Sequence, residues 1–264
     1  MEKINLRELS DKLEDIVRDA AKPVYDATFD ISLKEGFANI VTSTDVAVQE
    51  YLRKELTKVL PGCGFLCEEE DFHNLGSEYT WIIDPIDGTA NYSRKIDQCA
   101  ICVGLKYGKD IVLSAVYLPF TDEFFSAIKG KGAFLNGRSI HVSERPFQDS
   151  ILCTALAVYH KQYARVCSAI IVDTFLQCND IRRFGAAAPE ICYLAMGRCE
   201  LYFEYLLSPW DFAAASLILS EAGGVFCDLR GKKPDFLHPT GFLAANSRKS
   251  LDRLVEIVQS HIEE

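Results

Sequence analysis

The chain changes its pattern of secondary structure near the middle, and this change limits the folds it can adopt. Apolar stretches between residues 99 and 128 are separated by Gly108 and Pro119 and predict an antiparallel meander. From Ser150 onward, strand-like stretches alternate with helical patterns, which predicts an α/β arrangement. We therefore expect an N-terminal α+β half, residues 1–145, and a C-terminal α/β half, residues 146–264, that share one large interface.

A second helix is expected to begin near residue 45. Val46, Leu52 and Leu56 recur at helical spacing after a polar stretch. Thr44 or Asp45 is the expected N-cap, because the side-chain oxygen of either residue can accept hydrogen bonds from first-turn amides.

The composition excludes several classes of protein, and the net charge limits the partners that the chain can bind. The 264 residues are 48% hydrophobic and 25% charged, which excludes a disordered, collagenous or coiled-coil chain. The 28 Lys and Arg residues against 38 Asp and Glu residues give a net charge of −10, a sign that repels nucleic acid and anionic lipid. We expect no nucleic-acid partner, and we expect that binding of a small phosphorylated substrate requires a metal cation.

The N-terminal segment and the cysteines favour a cytoplasmic protein. Residues 1–21 interleave charged and apolar residues as an amphipathic helix does, without the apolar block of a signal peptide. No apolar run approaches the length of about 18 residues that a membrane span needs. The ten cysteines show no repeat, and the only Cys-x-x-Cys pair, Cys99 and Cys102, lies in a strand-like run. We therefore expect buried thiols, with neither a disulfide framework nor a zinc site.

The strongest chemical signal is the segment W-I-I-D-P-I-D-G-T at residues 81–89. An apolar strand leads into Asp84 and Asp87, which flank a proline. Two carboxylates and a carbonyl, such as that of Ile86, are oxygen ligands that Mg²⁺ prefers. The two amides that follow Asp87 are placed to hold a phosphate at a helix start. The alternative is an ordinary turn in which the aspartates act as caps.

Two further acidic sites follow or begin apolar elements. The run Glu68–Asp71 follows the apolar strand Gly64–Cys67, and Asp211 lies in the first turn of a helix of small residues. A solvated charge run and a simple helix N-terminal charge effect are the alternatives. Because carboxylates at strand ends meet at the edge of a sheet, the three acidic sites together predict one metal-binding site.

The order of these motifs resembles the inositol monophosphatase family, over about residues 5–260. The most specific motifs are W-I-I-D-P-I-D-G-T and W-D followed by E-A-G-G. The resemblance also rests on Lys34, Asn39 to Asp45, Phe65 to Glu69, Gly130 to Gly137, Gly185 to Ala187, Glu204, Trp210 with Asp211, and Glu221 to Gly224. It implies a Mg²⁺-dependent, lithium-sensitive phosphatase with a layered α-β-α-β-α sandwich, and a homodimer as in many relatives.

The resemblance implies two or three Mg²⁺ ions and their ligands. Glu68, Asp84 and the carbonyl of Ile86 would hold one ion. Asp84, Asp87 and Asp211 would hold a second, so that Asp84 bridges the two. Glu68 is preferred over the adjacent Glu69 because of its spacing to Asp84.

The resemblance also implies roles around the metal ions. Thr89 and Glu68, supported by Asp45, would position and deprotonate the attacking water. The amides of Gly88 and Thr89 would hold phosphate oxygens, with Asp87 beside them.

The alcohol part of the substrate would meet a different group of residues. Glu204 and the backbone of Gly185, Ala186 and Ala187 would face it, and Lys34 would lie on a loop near a further metal ion. For Glu204, the alternative is an ordinary exposed acid at the end of the strand Leu201–Phe203.

Departures from the family pattern leave the substrate open. Cys67 stands where the family usually has glycine, Asn39 replaces an acid, and Ala186 lacks a hydroxyl often found there. None of these changes removes an implied metal ligand. The first expected substrate is myo-inositol 1-phosphate, and fructose 1,6-bisphosphate, histidinol phosphate and nucleotide 3′-phosphates are alternatives. A regulatory binding protein on the same scaffold is the alternative of a different class.

Overall fold

In the described residues, two large β-sheets, a small pair of strands and three layers of helices make up the fold. The computed structural model describes residues 4–25, 29–33, 40–69 and 75–262. Lys34 and Asn39, and the Glu70 and Asp71 of the acidic run, lie outside these residues. The helices of the described residues are α1 (Leu6–Ala20), α2 (Ser43–Val59), α3 (Thr89–Tyr92), α4 (Ala164–Phe175), α5 (Ala187–Ala195), α6 (Pro209–Glu221) and α7 (Arg248–Ile262).

The strands fall into a seven-stranded sheet, a five-stranded sheet and a small pair. The strands of the described residues are β1 (Ile31–Leu33), β2 (Ile40–Thr42), β3 (Gly64–Cys67), β4 (Tyr79–Asp87), β5 (Ala100–Tyr107), β6 (Asp110–Leu118), β7 (Glu123–Ile128), β8 (Ala133–Leu135), β9 (Arg138–Ile140), β10 (Ile151–Thr154), β11 (Asp180–Arg182), β12 (Leu201–Leu207), β13 (Val225–Cys227) and β14 (Thr240–Ala245). Strands β1 and β2 form the antiparallel pair.

The larger sheet contains the predicted meander. Its order is β3-β4-β5-β6-β7-β8-β9, with β3 parallel to β4 and every other neighbouring pair antiparallel. The smaller sheet has the order β11-β10-β12-β14-β13. Its strands β11, β10 and β12 are parallel, as an α/β half predicts, whereas β14 is antiparallel to both β12 and β13. The division near residue 145 stays a prediction.

Successive side chains of a strand point to opposite faces of the sheet, and this alternation explains the layers. Ile83 of β4 packs with α1 and α2 on one face of the larger sheet, while Ile82 packs with α5 and α6 on the other. In the smaller sheet, Tyr202 faces α5 and α6, and Phe203 packs with α4 and α7. The layers therefore run α1/α2, larger sheet, α5/α6, smaller sheet, α4/α7, which is the expected α-β-α-β-α sandwich.

The N-cap predicted for α2 is wrong. Thr42 is the N-cap, and Asp45 occupies the third helical position of a capping box. The Asp45 carboxylate accepts a hydrogen bond from the Thr42 amide at 2.9 Å. Strand β2 runs directly into the helix, so the chain becomes helical two residues earlier than expected. Within the described residues, no helix has the length and apolar character needed to cross a membrane.

Candidate active site

Strand β4 carries two aspartates to one face of the larger sheet. Asp84 lies opposite Cys102 and Asp87 opposite Ala100, with a register shift between the two pairs. The extra residue on β4 is a bulge, and because Cys102 and Ala100 are two residues apart, both aspartates lie on the same side. Cys102 and Ala100 line the core between the sheets, so the carboxylates face the layer of α5 and α6. The strand continues through both aspartates instead of ending before them.

Asp211 reaches the same place from helix α6. Its carboxylate accepts a hydrogen bond from the Ser208 amide at 2.7 Å, which completes a capping box at the helix start. The helix packs closely on β5, because a Cβ placed on Gly104 would lie 3.4 Å from the amide nitrogen of Ala214. Small residues at this contact therefore bring Asp211 toward the β4 aspartates.

Glu68 extends strand β3 beside β4. Its amide donates to the Ile83 carbonyl at 3.2 Å, which continues the parallel pairing. The next residue, Glu69, is held by the Gln49 side chain, which accepts from the Glu69 amide at 3.0 Å and donates to the Glu69 carbonyl. The charge of Glu68 contributes to the raised pKa of Asp84, which supports the choice of Glu68 over Glu69.

The four carboxylates repel one another, and two of them, Asp84 and Asp87, are buried. Burial raises the pKa of Asp84 well above its ordinary value, and the charges of Glu68, Asp87 and Asp211 raise it further. Burial is also the largest cause of the raised pKa of Asp211, followed by the charges of Asp87 and Glu68. Burial raises the pKa of Asp87 to about 7, although two amides of α5 oppose the shift. A cation in the cluster would relieve both the burial cost and the repulsion.

The donor chemistry of this cluster suits a hard cation. Carboxylates and a main-chain carbonyl supply oxygen only, the ligand type that Mg²⁺ prefers. Within the described residues, no three His, Cys, Asp or Glu side chains are gathered closely enough to hold a metal ion as they stand. The fit to Mg²⁺ therefore rests on donor type, charge and shared location.

Thr89 connects the cluster to helix α2. Its hydroxyl lies 3.0 Å from Asp45 Oδ1 and 2.9 Å from the Ile86 carbonyl, either of which can accept its proton. The other oxygen of Asp45 accepts hydrogen bonds from the amide and hydroxyl of Thr42. Burial raises the pKa of Asp45, and these hydrogen bonds oppose the increase. The capping box of α2 thus holds Asp45 in position for Thr89.

Gly88 is required by its surroundings. It is the N-cap of α3, with φ of 89°, a left-handed conformation that favours glycine. A Cβ at this position would lie 2.8 Å from the Gln98 carbonyl oxygen and 3.0 Å from the Ala186 Cβ. The turn that presents the Gly88 and Thr89 amides therefore depends on glycine.

Comparisons with known proteins agree with this arrangement. A family model described as "Inositol monophosphatase family" matches residues 3–263. The chain belongs to the inositol monophosphatase family. It is a phosphoric monoester hydrolase, as the resemblance implied, and the predicted fold is confirmed.

Three relatives show the extent of the similarity. The inositol monophosphatase of Dictyostelium discoideum is 36% identical over 244 residues, 89% of this chain and 90% of that protein. The Nus factor SuhB of Salmonella typhimurium is 34% identical over 217 residues, 81% of each chain. The crystal structure of the extragenic suppressor protein SuhB from Bartonella henselae has a TM-score of 0.88 at 29% identity, covering 97% of this chain and 100% of that one.

In this phosphatase, the start of α5 supports Asp87. The amides of Ala187 and Ala188 donate to the two carboxylate oxygens of Asp87 at 3.2 and 2.6 Å. The Gly185 amide donates to Glu190 Oε1 at 2.8 Å. The Gly185 and Ala187 amides therefore have acceptors within the protein.

Sequence reasoning did not single out Glu190. It is buried, and its Oε1 accepts hydrogen bonds from the amides of Phe184 and Gly185 at 2.7 and 2.8 Å. Burial raises its pKa to about 8, against the opposing effect of these amides. An acid in the first turn of a helix was the available signal.

Glu204 lies inside strand β12, not at a strand end as predicted. A register shift between Glu204 and Leu207 bends the strand there. The Tyr202 hydroxyl donates to Glu204 Oε2 at 2.7 Å. Burial raises the pKa of Glu204 to about 7, Tyr202 and Arg183 lower it, and the charge of Asp87 raises it. Glu204 thus lies within electrostatic reach of the metal-site candidates.

Proposed function

We propose that this phosphatase uses Mg²⁺ to hydrolyse phosphate monoesters of small polyols or sugars, and that myo-inositol 1-phosphate is its main substrate. The observation that carries the proposal is the convergence of Glu68, Asp84, Asp87 and Asp211 from three elements, with the Thr89 and Asp45 pair beside them. The substrate is supported by the 36% identity to the inositol monophosphatase of Dictyostelium discoideum. Fructose 1,6-bisphosphate, histidinol phosphate and nucleotide 3′-phosphates are the alternative substrates.

In this proposal the carboxylates hold two Mg²⁺ ions. Glu68, Asp84 and the Ile86 carbonyl would hold one, and Asp84, Asp87 and Asp211 would hold the other. Such ions, when bound, lower the pKa of a coordinated water and neutralise charge on the phosphate. A third ion near Lys34 and inhibition by lithium also belong to the proposal, as does a homodimer. Lys34 itself lies outside the described residues.

Thr89 orients the attacking water. When its hydroxyl donates to Asp45, the Thr89 oxygen is left to accept a hydrogen bond from a water molecule. Glu68 then accepts the proton that the water releases. The role of Asp45 is positional, because its other oxygen is already held by Thr42.

Two groups of residues bind the rest of the substrate. The amides of Gly88 and Thr89 lie at the start of a helix, where amides have no partner within the helix, and they donate to phosphate oxygens. Glu204 accepts hydrogen bonds from substrate hydroxyls. The backbone of Gly185, Ala186 and Ala187 borders the alcohol.

The test is phosphate release from a panel of esters with and without Mg²⁺. We expect hydrolysis of myo-inositol 1-phosphate that is abolished by a chelator. Asp84→Asn should lower kcat by about 10²- to 10³-fold, because an amide cannot supply the charge that both ions need. The matched control is Asp149→Asn, an exposed aspartate outside the site. Near-normal turnover of Asp84→Asn at saturating Mg²⁺ would refute the two-ion assignment.

A regulatory role is a second candidate because relatives 34% identical to this chain are named Nus factors. Asp84→Asn separates the two roles, since it keeps the scaffold. A purely regulatory protein would keep its cellular role in the Asp84→Asn variant, and its wild-type form would release no phosphate from any ester.

A cytoplasmic location completes the proposal, and it is supported by the fact that each of the ten cysteines keeps its thiol.

A further inference from the structure

The side chain of Asn91 joins two parts of the site that lie 93 residues apart in the chain. Asn91 lies in α3, the short helix whose first amides are proposed to hold the phosphate. Its Nδ2 donates hydrogen bonds to the carbonyls of Phe184 and Gln98, at 2.8 Å in each case. A Cβ placed on Gly185 would lie 3.3 Å from the same nitrogen, so the side-chain amide packs directly on the turn before α5. Asn91 therefore links the phosphate side of the proposed site to its alcohol side.

Two further contacts close these residues into a ring. The hydroxyl of Tyr193, in α5, donates to Gln98 Oε1 at 3.1 Å. The rings of Phe184 and Tyr193 lie 5.5 Å apart at 86°, which is an edge-to-face arrangement. We call Asn91, Gln98, Phe184 and Tyr193 the clasp. Because Gln98 lies between α3 and β5 while Tyr193 lies in α5, the clasp fixes α5 and the turn before it against the larger sheet.

The clasp and Glu190 hold different groups of the turn. Glu190 accepts hydrogen bonds from the amides of Phe184 and Gly185, only a few residues before it in the chain. Asn91 instead binds the Phe184 carbonyl from a distant part of the chain. Glu190 therefore shapes the turn, and Asn91 sets where the turn lies relative to α3.

Helix α3 also has attachments to α2 that do not involve the clasp. The Thr89 hydroxyl lies 3.0 Å from Asp45 Oδ1, and the Tyr92 hydroxyl lies 3.1 Å from the Thr44 hydroxyl. Thr44 and Asp45 both lie in the first turn of α2. We therefore expect the amides that hold phosphate to stay in place when the Asn91 amide is removed, whereas the turn loses its link to α3.

We propose that Asn91 is a positioning residue that fixes the alcohol of the bound ester relative to its phosphate. This inference rests on the proposed function, in which the α3 amides hold the phosphate and the backbone of residues 185–187 borders the alcohol. Asn91 does not contact the reacting atoms, and it acts through the turn. A misplacement of about 1 Å can cost about 10²-fold in rate. Esters whose alcohol extends to the turn therefore depend on Asn91, and esters without such an alcohol do not.

The test is Asn91→Asp, which keeps the size of the side chain but replaces its N–H donors with an acceptor. It should lower kcat/KM for myo-inositol 1-phosphate by about tenfold, because the turn that borders the alcohol moves. The loss on phenyl phosphate, whose leaving group has no hydroxyl for the turn to orient, should stay below about twofold. Inorganic phosphate, which binds without an alcohol, should inhibit the wild type and the variant with the same inhibition constant.

A milder variant and a matched control complete the comparison. Tyr193→Phe removes only the hydroxyl that reaches Gln98 and keeps the ring against Phe184. It should change the two esters in the same direction as Asn91→Asp, by about two- to threefold on the inositol ester. The control is Asn136→Asp, because Asn136 Nδ2 also donates to a main-chain carbonyl, at 2.7 Å, but lies between β8 and β9 at the other edge of the larger sheet from β3. The control should leave the ratio of the two kcat/KM values unchanged.

Hydrogen–deuterium exchange gives a measurement that does not depend on turnover. The amides of residues 184–188 should exchange faster in Asn91→Asp than in the wild type, and at the wild-type rate in Asn136→Asp. Equal losses on both esters, a weakening of phosphate inhibition that matches the loss on the inositol ester, or unchanged exchange in residues 184–188 would overturn the positioning role. Absence of Mg²⁺-dependent hydrolysis of every ester by the wild type would instead refute the proposed function, and this inference with it.

Discussion

At the scale of single residues, Glu204 separates substrate recognition from chemistry. It is held by Tyr202 and lies within electrostatic reach of Asp87. If it accepts hydrogen bonds from substrate hydroxyls, Glu204→Gln should raise KM for myo-inositol 1-phosphate and lower kcat/KM by about 1 to 3 kcal/mol. An aryl phosphate, which lacks those hydroxyls, should be hydrolysed almost as before.

Both substrates should be measured on the same variant at saturating Mg²⁺, with the exposed Glu144→Gln as the control. Equal losses on the two substrates would group Glu204 with the metal ligands. No loss on either would show that its carboxylate does not contact substrate.

At the scale of elements, the start of α5 depends on one buried acid. Glu190 holds the turn at Phe184 and Gly185, and the following amides hold Asp87. The pKa of Glu190 is raised from 4.5 to about 8, with burial as the main cause. Between these values the unfolded chain has lost a proton that the folded protein retains, so the free energy of unfolding falls as pH rises. Below about 4.5 this contribution is fully present, and above about 8 it is lost.

Glu190→Gln should remove this part of the pH dependence, because the amide oxygen still accepts from both backbone amides and does not titrate. Between pH 4.5 and 8, the difference in the free energy of unfolding between wild type and variant should change by about a few kcal/mol, the order expected for such a pKa shift. Urea unfolding at several pH values measures it. A constant difference across that range would show that Glu190 does not titrate differently in the folded and unfolded states.

Sequence patterns predicted the elements better than their junctions. The meander, the parallel trio β11, β10 and β12, and most of the helices follow from hydrophobic spacing. The bulge in β4 could not be predicted, because it depends on pairing with β5. The capping box at Thr42 was missed because a cap is set by where the preceding strand ends.

The site was predicted in part. Motif residues indicated the acids, and the structure brings Glu68, Asp84, Asp87 and Asp211 within electrostatic reach of one another. Glu190 carries no motif, and its hydrogen bonds to the Phe184 and Gly185 amides arise only in the folded chain.

At the scale of the whole molecule, the site joins distant parts of the chain. Glu68 and the β4 aspartates come from the larger sheet, and Asp211 comes from α6 between the sheets. A cation bound by all of them stabilises the folded state only, since the unfolded chain has no assembled site. At a Mg²⁺ concentration about 100 times its Kd, the free energy of unfolding increases by about 2.7 kcal/mol. For a protein of this size, we expect Tm to rise by about 5 to 10 °C.

Asp211→Asn should raise Tm in the absence of Mg²⁺ and reduce the increase in Tm that Mg²⁺ produces. In chelator, the variant should melt at a higher temperature than the wild type, because it removes one of four mutually repelling charges. The increase in Tm that Mg²⁺ produces should be smaller in the variant than in the wild type, because the second ion has lost a ligand. Thermal melting of both proteins across a Mg²⁺ titration measures the two effects together, with Asp149→Asn as the surface control. A residue that serves only as the capping acid of α6 would lower Tm equally in chelator and in Mg²⁺, so that outcome would remove Asp211 from the metal site.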